Sequence, residues 1–138
     1  MDLSSIDLAA AAGKPQTLHL RHPVEGHLLY DNGGKEDDKS KPVTIDLLGS
    51  SSKNFKAALN RSLRDRSENR TIDDIERNSA RNLAALVVGW KNVSWAGEAL
   101  ACNAANAEML FVERPWIRKQ VDAFVANDQN FWTAPGVK

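Results

Sequence analysis

Hydropathy along this chain changes period once, at Gly49, and that change bounds what it can fold into. Before it, apolar and polar residues alternate: Thr17, Leu18, His19 and Leu20, then His27 to Tyr30, then residues 42–48, where Val43, Ile45 and Leu47 share one face. Beyond it, apolar residues return every three or four positions, the spacing of helices that bury a single face. The pattern predicts an α+β fold, predominantly helical: a small N-terminal antiparallel hairpin or sheet followed by about four helices. No apolar stretch exceeds residues 83–89, far short of the ~20 that a membrane-spanning helix needs.

Turn and cap residues set the boundaries. Residues 1–15 read as a flexible N-terminal segment, because Gly13-Lys14-Pro15 stops any helix begun by Ala9 to Ala12. Residues 16–132 read as one domain, with a β region over 16–49 and a helical region over 50–132, and residues 133–138 as a flexible end. Asn32-Gly33 favours a tight turn, and the charged stretch from there to Lys41 is too polar to pack, which predicts a protruding loop. Ser50, Ser51 and Ser52 offer N-caps to a helix with Phe55, Leu59 and Leu63 on one face. Thr71-Ile72-Asp73-Asp74 has capping-box-like spacing and opens a second helix. Its stripe reads Ile72, Ile75, Ser79, Leu83, Leu86, Val87 and Trp90. Residues 93–98 read as a loop or tiny hairpin. Asn103 caps a third helix carrying Ala107, Leu110 and Phe111, which ends by Arg114 because Pro115 follows. Pro115 suits the first turn of a fourth, where Ile117, Val121, Phe124 and Val125 form the buried stripe.

Charge narrows the function classes. Eighteen basic and eighteen acidic residues cancel, which argues against a nucleic-acid coat or an acidic tail as a description of the whole chain. Residues 53–82 are locally basic through Lys53, Lys56, Arg61, Arg64 and Arg66. The following helix opens with Asp73, Asp74 and Glu76, which would repel a phosphate backbone, so no nucleic-acid partner is expected. Met1-Asp2-Leu3-Ser4 places no positive charge before its apolar residues, unlike a secretory leader.

Catalytic chemistry finds little to work with. His19, His22 and His27 stand three and five apart around Pro23, not at the spacing of a helical metal site. Glu36, Asp37 and Asp38 lack the alternating ligand order of a calcium loop, and Lys35, Lys39 and Lys41 compete for the same carboxylates. Cys102, the single cysteine, precedes a helix start that could lower its pKa, yet no histidine follows His27 to act as its base. No glycine pattern matches a phosphate loop. The expectation is a protein that is not an enzyme and uses neither cofactor nor metal.

Aromatic residues are the stronger lead. Trp90, Trp95, Trp116 and Trp132 all fall between residues 90 and 132, together with Phe111, Phe124 and Phe131. Trp90, Trp95 and Trp132 lie at element ends or in loops, where an indole is often half exposed to a partner.

A group of short motifs, in order, resembles the tail assembly chaperones of long-tailed, siphovirus-type bacteriophages. They are His22-Pro23-Val24-Glu25-Gly26, then Leu48-Gly49-Ser50-Ser51-Ser52-Lys53-Asn54-Phe55-Lys56, then Val87-Val88-Gly89-Trp90-Lys91-Asn92-Val93 with Gly97 after it. Pro115-Trp116-Ile117-Arg118-Lys119-Gln120-Val121-Asp122-Ala123-Phe124 and Asn130-Phe131 complete the set, which spans roughly residues 20 to 132. The chain departs from the family at Asn78-Ser79-Ala80, a polar interruption of the long helix, and at the charged loop between Asp31 and Lys41. The resemblance implies a small, largely helical, non-catalytic protein of the host cell cytoplasm. Its partner would be the tape-measure protein, kept soluble during tail morphogenesis while tail-tube subunits are recruited. The major tail-tube protein is then a second partner, through a frameshift-extended form of the kind the family makes, and self-association stays open. The chaperone would be absent from the mature virion; the alternative is a structural tail or connector subunit retained in it. Trp90, Trp95, Trp116 and Phe131 are the expected apolar partner contacts, with Arg61 and Arg64 as a charged rim.

Overall fold

Ile45 and Leu47 lie on one face of a single short strand, and both are fully buried. The computed structural model describes residues 2–33, 40–64 and 71–132. Its elements in chain order are α1 (Leu8–Ala12), β1 (Gln16–His19), β2 (Thr44–Leu47), α2 (Lys53–Arg64), α3 (Ile72–Ala84), β3 (Val87–Lys91), β4 (Ser94–Trp95), β5 (Glu98–Ala99), α4 (Ala104–Glu113) and α5 (Pro115–Ala126). The described residues form a mixed α+β fold, about half helical, with five helices, a three-stranded antiparallel sheet and a separate hairpin. Residues 34–39 of the expected charged loop, Arg66 of the basic stretch and the C-terminal 133–138 lie outside the described residues.

The sheet runs β1-β2-β3, with β2 paired on both edges. Ile45 and Leu47 point into the core, where they join Leu83 of α3, Leu86, Leu110 and Phe111 of α4, and Val121 and Val125 of α5. On the opposite face Thr17 donates its hydroxyl to Asp46 Oδ1 at 2.6 Å, so the alternation in the sequence separates core from surface. Between β1 and β2 the chain doubles back. Leu29 donates its N–H to Leu20 O and accepts one from Val43, extending the sheet edge by irregular pairing.

The expected second helix does not reach Trp90. It ends at Ala84, and after a two-residue turn Val87–Lys91 forms β3, antiparallel to β2. Two valines and a glycine in Val87-Val88-Gly89 weaken a helix there, while the free edge of β2 needs hydrogen-bond partners. The register opposes Asp46 to Gly89 but Leu47 to Val87, leaving Val88 as the extra residue of a bulge, 56% exposed.

The N-terminus also differs from expectation. Asp7 caps α1 by accepting the Ala10 N–H at 3.0 Å. Ala12 is buried and accepts the Gly49 N–H at 2.8 Å, which ties the segment to the body. The helix caps follow the sequence closely. Ser52 Oγ accepts the Phe55 N–H, Thr71 and Asp74 form a reciprocal capping box, Asn103 Oδ1 accepts the Asn106 N–H, and Pro115 occupies the first turn of α5.

Candidate functional site

The hairpin of β4 and β5 stands on the end of β3. Its two turn residues, Ala96 and Gly97, both have positive φ, at 53° and 86°, which suits a two-residue turn matched to strand twist. Asn92, also at positive φ, donates its side-chain amide to Pro42 O at 2.7 Å and fixes the entry to the hairpin. Trp90 fixes the exit, since its indole N–H donates to Leu100 O at 2.8 Å. Leu100 in turn donates its N–H to Val93 O, so hairpin and sheet are joined from both sides.

This placement brings Trp95 beside the α4–α5 junction. The Arg114 guanidinium lies 4.8 Å from the centre of the Trp95 ring, a cation–π contact that also stiffens the indole. Arg114 is held in turn by a 2.7 Å bond from Nη1 to Glu113 O. Trp116 follows Pro115 in the first turn of α5 and faces the same space. Between them opens a groove of about 300 Å³, walled by Leu29, Tyr30, Val43, Trp95, Arg114 and Trp116. Leu20, Leu110 and Ile117 of the buried core form its floor, so the groove is apolar at depth and carries Arg114 and Asp31 at its edge. Such a pocket fits an apolar side chain of a partner.

Of the expected contacts, the structure brings together Trp95 and Trp116. Trp90 is half-buried, packs against the core and spends its indole N–H on Leu100. Phe131 is 3% exposed, edge-to-face with Phe124 at 5.6 Å and against Gly49; its ring is packed inside rather than offered to a partner. Arg61 and Arg64 line no part of the groove. Arg61 borders a separate recess of about 120 Å³ between α2 and α3, and Arg64 is the exposed last residue of α2. Among the described residues the groove's cation is Arg114, which reads in the sequence only as the residue that ends a helix before proline. Tyr30 is the other omission, since it reads there simply as the end of a strand.

The three histidines are engaged elsewhere. His19 Nε2 donates to Leu29 O at 2.7 Å, His22 Nδ1 accepts the N–H groups of Val24 and Glu25, and His27 Nε2 lies 3.0 Å from Glu25 Oε2. Among the described residues no three His, Cys, Asp or Glu side chains converge on a common metal position. Cys102 is exposed on the surface. Partial burial, aided by the negative charge of Asp46, pushes its thiol pKa up, opposite to the lowering its place before a helix suggests. Among the described residues no helix is long and apolar enough to cross a membrane. Comparison of the chain with protein-family models, with curated proteins and with solved structures finds no match.

Proposed function

We propose that this protein is a non-catalytic tail assembly chaperone of a long-tailed bacteriophage. It acts in the host cytoplasm and is left out of the finished virion. It binds apolar helical stretches of the tape-measure protein, keeps that protein soluble, and brings tail-tube subunits to it. The observation that carries the reading is the groove between Trp95 and Trp116, an open apolar space with two indoles at its mouth. An amphipathic helix laid across it would insert one large apolar side chain, which contributes roughly 1.5–3 kcal/mol when fully buried. That is too little for a tight one-to-one complex. Many copies on one long chain gain through multivalency, so a coat of weakly held subunits suits a weak site. Arg114 at the groove's edge favours a partner helix with a carboxylate next to its apolar anchor.

Co-expression with the tape-measure protein of the same phage tests the reading. The tape measure is expected in the soluble fraction only when this chain is present, bound to it, with the complex surviving high salt because its contacts are mainly apolar. An insoluble tape measure with no complex would contradict the proposal, and stoichiometric amounts of this chain in purified particles would mark it as a tail component instead.

A further inference from the structure

A second surface, on α2 and α3, lies outside the Trp95–Trp116 groove and does not depend on it. The two helices meet through small and polar residues: Ala58 is buried, and Ser62 Oγ sits 3.0 Å from Asn78 Oδ1 and 2.8 Å from Asn82 Oδ1. Leu59 and Leu63 follow Ala58 and Ser62 by one residue, and Ser79 and Leu83 follow Asn78 and Asn82 by one. In a helical hairpin that single step turns both rows to the same side. The stripes Phe55-Leu59-Leu63 and Ile72-Ile75-Ser79-Leu83 therefore form one face. At its base Phe55 and Leu83 pack into the core. Toward its tip Leu59 is 41%, Leu63 62%, Ile75 56% and Ile72 74% exposed. Four large aliphatic side chains on one hairpin exceed the scattered apolar residues of an ordinary surface.

Charge identifies what covers it. Every charged residue of α2 is basic (Lys53, Lys56, Arg61, Arg64), whereas α3 opens with Asp73, Asp74 and Glu76. Lys56, Arg64, Asp73 and Glu76 make no ion pair among the described residues. A foreign helix of either sign would be attracted by one half of the face and repelled by the other. Arg77 and Arg81 follow further along α3, so its acidity is confined to its N-terminal part. A second copy of the same hairpin, turned about a two-fold axis, sets basic α2 against that acidic start of α3 twice while burying both apolar stripes. We infer that this chain forms a two-fold symmetric dimer through the α2–α3 hairpins, with Leu59, Leu63, Ile72 and Ile75 at its centre.

Sedimentation velocity of the full chain between about 5 and about 200 µM tests this, because a small apolar interface places dissociation in the micromolar range. A concentration-dependent dimer is expected, and Leu63→Glu should abolish it with an unchanged circular dichroism spectrum. Leu63→Ala, a milder change at an exposed helical position, should weaken the dimer by about tenfold or more. The charge pairing has its own test. The variant K56E/R64E and the variant D73K/E76K should each be monomeric, and their equimolar mixture should restore a dimer. A chain that stays monomeric throughout the range, a dimer indifferent to Leu63→Glu, or a mixture that remains monomeric would overturn the proposal.

Discussion

Ala96 occupies a backbone conformation that a side chain opposes. At φ 53° its Cβ meets the left-handed penalty, about 1–2 kcal/mol for a residue other than glycine, and no side-chain amide offsets it as at Asn92. Ala96→Gly relieves that strain and loosens the unfolded chain, so a net stabilisation of about 0.5–1 kcal/mol is expected in urea unfolding. A loss of stability would show that the turn is not strained. Gly49 answers to a different constraint, lack of space. A Cβ there would stand 2.8 Å from Ala12 Cβ and 3.1 Å from the Phe131 ring, and neither is a flexible side-chain end. Gly49→Ala should destabilise the fold by about 1–3 kcal/mol, measured by the same unfolding curves. Phe131→Leu in the same background should recover part of the loss by making room.

At the scale of elements, the helix starts were legible because their signals are local: a capping side chain three residues before its donor, or a proline in a first turn, needs no knowledge of the rest of the chain. The segment Val87–Lys91 was not legible for the opposite reason. Leu83, Leu86, Val87 and Trp90 satisfy a helical period, and they satisfy equally a helix end followed by a strand. What decides between them is the edge of β2, forty or more residues earlier, whose backbone groups must be paired. The same blindness hid the role of Trp90, which joins β3 to the hairpin through Leu100. Trp90→Phe keeps most of the packing but removes that hydrogen bond, so a cost of about 0.5–1.5 kcal/mol is expected, with faster amide exchange at residues 94–99. An unchanged exchange rate would mean the hairpin is held by other contacts.

For the molecule as a whole, the fold class follows from periodicity, but the groove depends on convergence that no single segment reveals. Its walls come from the N-terminal excursion at Leu29 and Tyr30, the hairpin at Trp95 and the α4–α5 junction at Arg114 and Trp116, residues separated by as many as eighty-seven positions. The tryptophans cluster late in the chain, but only packing separates Trp90, a tether to Leu100, from Trp95 and Trp116, which line the groove. Phe131 and the α2 arginines fell away because exposure and adjacency are properties of the packed chain, not of residue type. The proposed seating of an apolar tape-measure helix in the groove is tested most directly by hydrogen exchange on the complex of the two proteins. Binding is expected to slow exchange at residues 93–99 and 115–118, and a Trp95→Ala/Trp116→Ala variant of unchanged fold should lose that protection together with the complex. Protection confined to other segments, or a complex indifferent to the double substitution, would contradict it.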